Sequence, residues 1–461
     1  MFHLGKGIAC LQEQVRNFVT KKINTRENTP KTGIVRFEIP IAPIDSLRWL
    51  SQQKNEVKIY WSERDTSFSA AGVGAVDVVT GNCPVDFGIL FDRLRWYLSS
   101  DESAVKYYGG IQFNLKSKPD KEWSDFGTYY FIVPQFEVIT YGGKYFCAYN
   151  ILLHKNSGKY DTYGFDSISA EIPQSPASLR ENMPDIVSRI DIPDKINWHR
   201  SVEYALDLIK TQELEKIVLA RKAAITFSDK IHPVELTANL TDSNPNVFHF
   251  CIQPKEGCAF IGASPELLYK RENSLVNTEA VAGTRSGGIT PDEDAKREKE
   301  LLSNEKEKRE HYIVHKNIEK ILQSLCDNYE VSKDLSVMKL SHIMHLYSSF
   351  TGTLTSGITD AAILAALHPT PAVGGFPKKQ ALEYITRLEP FKRGWYAGPV
   401  GWVGSSNAEF AVGIRSGLVR DNTVFLYSGA GIVAGSDPSS EWEEIENKIT
   451  SFVKICSEND D

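Results

Sequence analysis

The chain has 461 residues, 41% hydrophobic and 24% charged, with 52 Lys and Arg against 59 Asp and Glu and a formal net charge of -7. That composition excludes a disordered or collagen-like chain, and its mild acidity leaves no electrostatic footprint for nucleic acid or anionic lipid. Seven scattered cysteines without a CxxC pair, no cleavable apolar core at the start and no long unbroken apolar run predict a cytoplasmic protein that meets no membrane.

In chain order, the periodicity predicts a helix over 8–21, a polar stretch over 22–32 and an alternating strand over 33–41. Segments rich in Tyr, Phe, Val and Ile at 57–61, 107–113, 128–134, 135–141 and 145–153 predict a meandering antiparallel sheet. Closely spaced prolines, serines and acids predict a connecting loop over 167–194. A helix over 198–210 and strands over 216–221, 247–252, 259–262 and 266–270 follow. Long helices are expected within 292–325, 359–367 and 377–388, then strands over 398–403, 408–419 and 423–428, and a last helix over 438–454. Many strands with clustered helices, and no strict alternation, favour an α+β fold over a doubly wound sheet.

In the last helix Glu441, Glu444 and Lys448 fall at i, i+3 and i+7, within about 60° of one another on a helical wheel. They flank an apolar stripe of Trp442, Ile445, Ile449, Phe452 and Val453. The strip is either a solvated edge with a Glu444–Lys448 pair or one wall of a cation site. Glu310, at the end of EKEKRE and beside Ile313, Ile318, Ile321 and Leu325, is either a surface acid or a second carboxylate for that site. Mg²⁺ commonly takes one or two protein carboxylates and completes its shell with water and an anionic substrate.

His311 with His315, and His342 with His345, have half-site spacing, but neither pair has the third ligand, HExxH pattern or nearby cysteine that zinc requires. Gly429, Gly431 and Gly435 in SGAGIVAG follow a strand, yet the spacing is GxGxxxG and no βαβ unit surrounds it. Glycines there still let backbone N–H groups approach an anion. Lys216, opening KIVLAR, is either a buried amine able to act as a base or a strand-edge lysine reaching for water. Glu266 in ASPELL is either an acid of raised pKa in a cleft or a turn residue. Arg415 in FAVGIRSG either grips a carboxylate bidentately or pairs with a structural acid.

Ten ordered motifs between 198 and 454 carry a resemblance: KIVLAR, GASPELL, EAVAGTRSGG, EKREH, SSFTGTL, HPTPAVGGFP, EPFKRGWYAGPVGW, FAVGIRSG, SGAGIVAGSDP and EWEEIENK. As a set they resemble the chorismate-utilising enzymes, and among these the longer, menaquinone-type isochorismate synthases. The resemblance implies one large domain of layered antiparallel sheets with helices packed outside. Residues 1–195 would add strands and helices to a common body, and 196–461 would form the chorismate-binding catalytic region. It also implies Mg²⁺, with Glu310 and Glu444 as metal ligands and Glu441 as an outer helper. Lys216 would be the base for a water molecule and Glu266 the acid for the departing ring hydroxyl. Arg415 and the backbone at Gly429 would hold the enolpyruvyl carboxylate, with Lys448 close by and Thr284, Ala372 and Tyr396 completing the substrate site.

Related activities are separated by single positions within the same resemblance. Lys216 stands where ammonia-using anthranilate synthases typically have glutamine, and Ala282 where aminodeoxychorismate synthases place a nucleophilic lysine. Ala372 stands where salicylate synthases usually carry threonine, whereas Tyr396 is shared with such lyases. The expectation is therefore isomerisation of chorismate to isochorismate, serving menaquinone or siderophore biosynthesis. The alternatives are a salicylate synthase and a silent chorismate-binding homologue. No glutaminase subunit is expected, and the chain would act as a monomer or weak homodimer.

Overall fold

The computed structural model describes residues 3–25, 33–82, 84–98, 104–153, 183–288, 290–332, 334–340 and 343–457. Among them, the β-branched and aromatic segments assemble into two antiparallel sheets, of twelve and ten strands, with helices packed against them. The larger sheet runs Gly33–Ile41, Lys144–Leu153, Phe136–Tyr141, Phe68–Val73, Lys58–Ser62, Phe248–Lys255, Cys258–Ser264, Ser416–Arg420, Thr423–Ile432, Lys216–Phe227, Gly375–Phe376, with Ile186–Ile192 also paired to Lys216–Phe227. The smaller runs Cys326–Val331, Ile343–Leu354, Leu275–Ser286, Leu267–Glu272, Asn407–Val412, Pro399–Val403, Tyr107–Ile111, Tyr129–Val133, Asp77–Gly81, with Ser336–Lys339 also on Ile343–Leu354.

Each sheet mixes strands from both ends of the chain. Lys58–Ser62 pairs with Phe248–Lys255 in the larger sheet, and Tyr107–Ile111 pairs with Pro399–Val403 in the smaller. The two sheets face one another through large side chains. The rings of Phe68 and Trp402 meet at 5.7 Å, and Trp61 Nε1 donates to Glu409 Oε2 at 3.2 Å, each pair joining one sheet to the other. Burying such amphipathic rings requires a partner for each polar tip, and Trp123 finds one in Tyr427 Oη at 3.1 Å. A second apolar cluster forms where the helices Leu4–Thr25, Ser46–Ser51 and Pro233–Ser243 cover the larger sheet, joining Leu11, Trp49 and Leu236 to Val138 and Ile261. Among the described residues no helix is long and apolar enough to cross a membrane.

Several expectations from the sequence change. The stretch 408–419 is not one strand, because Asn407–Val412 lies in the smaller sheet and Ser416–Arg420 in the larger. Apolar residues continue across 410–414, so the hydrophobic pattern conceals the change of sheet. The expected loop over 167–194 contains the strand Ile186–Ile192 in its described part, where β-branched residues between Pro184 and Pro193 pair with Lys216–Phe227. Residues 167–182 of that stretch lie outside the described residues. The helical region 292–325 divides at Asn304 into Pro291–Ser303 and Glu305–Leu325. The strands Leu275–Ser286 and Ile343–Leu354 and the helix Phe87–Leu98 were not expected.

Candidate active site

Glu266 and Arg415 stand on two adjacent crossings between the sheets. Residues 265–266 carry the chain from Cys258–Ser264 into Leu267–Glu272, and residues 413–415 bring it back from Asn407–Val412 to Ser416–Arg420. The crossings are bonded together: Val412 N donates to Glu266 O at 3.0 Å, Ala263 N to Arg415 O at 3.0 Å, and Ser264 Oγ to Val412 O at 2.6 Å. Arg415 takes φ +49, a left-handed conformation that a side chain rarely adopts without surrounding support.

A cavity of about 160 Å³ opens beside these crossings. Glu266, Thr284, Glu310, Ala372, Tyr396, Arg415, Gly429, Glu444 and Lys448 all line it. Nine of the eleven residues singled out in the sequence therefore share one space. The other two, Lys216 and Glu441, are buried behind it.

Burial raises the Glu266 carboxyl to about 8, with the charge of Lys216 opposing the rise and that of Glu279 adding to it. At neutral pH it is a carboxylic acid facing the cavity, able to donate a proton. Lys216 opens its strand with a fully buried side chain, and its Nζ lies 2.8 Å from Glu310 Oε1. The geometry is that of an ion pair, while among the described residues no neighbour of Nζ meets the geometry of a regular hydrogen bond. Gly431, on the paired strand Thr423–Ile432, makes room for this contact. A Cβ there would collide with Glu310 Oε1 and come within 3.0 Å of Lys216 Cε. The glycine-rich run is thus part of a strand beside Lys216, with Gly429 opposite Ala220 and Gly431 opposite Val218.

Asn304 caps the Glu305–Leu325 helix by accepting from Lys306 N and Glu307 N at 3.0 and 3.1 Å, which sets Glu307 and Glu310 one turn apart on one face. Opposite them, Gly283 takes φ +78 at a bulge in Leu275–Ser286, and the bulge aims Thr284 N at Glu307 Oε2, 2.9 Å away. Burial and repulsion from Glu310 raise the Glu307 carboxyl. Burial and repulsion from Glu444 likewise raise Glu441, against the pull of Lys306, whose Nζ lies 2.8 Å from Glu441 Oε1. Burial would raise Glu444 too, but Lys448, 2.6 Å from its Oε1, outweighs that effect and the carboxyl lies below the usual range. Lys448 Nζ also donates to Gly429 O at 2.9 Å.

Crowded carboxylates of this kind fit a divalent cation, which would relieve the repulsion recorded in Glu307 and Glu441. Glu310 and Glu444 alone among the four face the cavity. Among the described residues no group of three or more His, Cys, Asp or Glu is placed to hold a metal ion by itself. Two carboxylates open to a cavity match the incomplete protein shell that Mg²⁺ commonly accepts.

Arg415 is half-buried, and desolvation lowers its pKa; among the described residues it has no ion pair, and Glu444 acts on it only at longer range. Two further residues at the site were not assigned to it from the sequence. Glu307 sits three residues before Glu310 in EKEKRE, and that spacing is a signal that could have found it. His345 lines the cavity, with Nδ1 3.2 Å from Gly283 O and 3.3 Å from Thr284 Oγ1, while its buried Nε2 has no partner among the described residues. Burial and the charges of Arg415 and Lys448 push it down to about 3, so it is a neutral imidazole. The Gly283 carbonyl requires Nδ1 to carry the proton, which leaves Nε2 as an acceptor. His342 lies outside the described residues, and the rings of His311 and His315 stand 5.9 Å apart.

Residues 18–456 match the family described as chorismate binding enzyme. Isochorismate synthase 2, chloroplastic, of Arabidopsis thaliana is 35% identical, the match covering 92% of this chain and 80% of that protein. Isochorismate synthase MenF of Bacillus subtilis is 28% identical over 97% of this chain and 98% of the relative. The solved structure of MenF, the menaquinone-specific isochorismate synthase from Escherichia coli, superposes with a TM-score of 0.83 at 27% identity, covering 98% of this chain and 100% of that one.

Proposed function

The chain belongs to the chorismate binding enzymes, and on that premise we propose that it isomerises chorismate to isochorismate. Water adds at ring carbon 2 while the double bonds shift and the hydroxyl leaves carbon 4, so one water enters as another departs. Two separated sites must therefore exchange protons. Lys216 serves as the base that takes a proton from the incoming water, and Glu266 gives its proton to the departing hydroxyl.

One observation carries this function: a buried acid held protonated up to about 8, Glu266, shares a cavity with Arg415 and with the carboxylates of Glu310 and Glu444. Arg415 and the backbone at Gly429 receive the enolpyruvyl carboxylate, with Lys448 beside them. Glu310 and Glu444 hold Mg²⁺, and Glu441 supports them from behind through Lys306. When bound, Mg²⁺ supplies charge neutralisation for the ring carboxylate and fixes its orientation. Thr284, Ala372 and Tyr396 shape the wall around the ring. Water as the nucleophile requires no glutaminase subunit.

The second reading is salicylate synthesis, in which pyruvate is eliminated after the same first step. Tyr396 in the cavity wall is the feature shared with it, whereas Ala372 offers no hydroxyl. Incubation with chorismate and Mg²⁺, followed by chromatography, separates the readings. Isochorismate without pyruvate is expected. Stoichiometric pyruvate would replace the first reading by the second, and no conversion would leave a chorismate-binding protein without turnover.

A further inference from the structure

The Glu266 crossing is held from outside the cavity by groups that have no contact with it. Arg64 lies in the turn between Lys58–Ser62 and Phe68–Val73, far away in sequence. Its guanidinium donates from NH2 to Pro265 O at 2.6 Å and forks onto Glu279, NH1 to Oε1 at 2.9 Å and NH2 to Oε2 at 2.8 Å. Glu279 Oε2 in turn accepts a long bond from Leu267 N at 3.4 Å, and Oε1 accepts Tyr347 Oη at 3.0 Å. The peptide units on both sides of Glu266 are therefore bonded to one bidentate ion pair. The Phe248 ring, 5.0 Å from Arg64 Cζ, supports the guanidinium plane.

We propose that Arg64 and Glu279 are positioning residues for Glu266, a clamp that fixes the backbone on either side of the acid and sets the charge it feels. This rests on the acid role assigned to Glu266 above. The pair is not part of the cavity wall, so it acts through Glu266 and not on the substrate.

The charges around Glu266 make the clamp's electrostatic effect directional. Facing it are Lys216 from Lys216–Phe227, Glu279 from Leu275–Ser286 and Arg64 from the turn. Tyr347 of Ile343–Leu354 contacts Glu279, Glu409 of Asn407–Val412 acts on Arg64, and Glu310 of Glu305–Leu325 pairs with Lys216. Negative Glu279 makes ionisation of Glu266 harder, and positive Arg64 makes it easier. Neutralising Glu279 must then lower the pH at which Glu266 loses its proton, and neutralising Arg64 must raise it.

The test compares Glu279→Gln, Arg64→Met and Arg64→Lys in the full chain. The first readout is an infrared pH titration of the Glu266 carboxyl, taken as the difference from the same protein carrying Glu266→Gln. The second is the pH–rate profile with chorismate and Mg²⁺. Glu279→Gln should move the titration down, and Arg64→Met up, each by about one pH unit. Arg64→Lys keeps the charge but not the fork, so it should hold the titration near the native position while kcat falls about tenfold at nearly constant KM. Should Arg64→Met fail to fold, the near-isosteric Glu279→Gln carries the test alone. Variants that lose thermal stability but move neither titration nor kcat would overturn the clamp. Opposite titration shifts without matching shifts of the rate profile would uphold the clamp and overturn the acid role of Glu266. An unmoved titration, with the basic limb abolished by Glu266→Gln, would do the reverse.

Discussion

Lys216 Nζ lies 2.8 Å from Glu310 Oε1, so the residue assigned to proton transfer and one assigned to cation binding share a single buried contact. A lysine in that position competes with a bound cation for the same carboxylate.

Lys216→Gln should therefore act in two opposite directions. Turnover should fall about 10²–10⁴-fold through loss of the base. Mg²⁺ binding, measured by calorimetry without substrate, should tighten because Glu310 is released from its ammonium. Weaker Mg²⁺ binding in this variant would contradict the competition.

Glu310→Ala and Glu444→Ala remove the two carboxylates that face the cavity. Each should nearly abolish turnover and sharply raise the Mg²⁺ concentration needed for half-maximal rate. Glu441→Gln, lying behind the wall, should cost less, about 10–100-fold in Mg²⁺ affinity. Full activity of the alanine variants at limiting Mg²⁺ would refute the metal assignment.

Only the protonated form of Glu266 donates, so the rate should decline as pH rises through about 8. Glu266→Gln should lose about 10²–10⁴-fold and abolish that basic limb. Stability follows the same titration. The folded carboxyl holds its proton more tightly than the unfolded one, so its contribution is full below about 4.5 and is lost as pH rises through about 8. The Tm of Glu266→Gln relative to the native chain should then be higher at pH 9 than at pH 5.

Arg415→Lys keeps a cation but loses the planar fork that grips a carboxylate. Losing one charge-assisted hydrogen bond costs about 1.5–3 kcal/mol, so KM for chorismate should rise roughly tenfold to a hundredfold. An unchanged KM would remove Arg415 from the carboxylate site.

Features written in short-range pattern were legible in the sequence. The i, i+3, i+7 strip of Glu441, Glu444 and Lys448 predicted a shared face, and Glu444 and Lys448 do face one cavity. The apolar run opening at Lys216 predicted a buried strand, and its side chain is fully enclosed. Chain reversals hidden inside a continuous apolar pattern were not legible: the apolar run through Gly413 reads as one strand, yet the chain changes sheets there and turns Arg415 to φ +49. Partnerships set by tertiary placement were equally silent. Arg64 and Glu279 are separated by 215 positions, and nothing local to either announces the other. His345 was visible only as half of a discarded metal motif, because its value as an acceptor depends on the Gly283 carbonyl, which a bulge presents to Nδ1.

Among the described residues, early strands meet late ones at three seams, Lys58–Ser62 on Phe248–Lys255, Tyr107–Ile111 on Pro399–Val403 and Ile186–Ile192 on Lys216–Phe227, which also bear on how such a gene can change. A recombination event that swapped the first 195 codons for those of a distant cousin would have to match all three backbone registers at once and bring an arginine to the position of Arg64. Chimaeras joined there should mostly fail, and inheritance should keep the two portions travelling together.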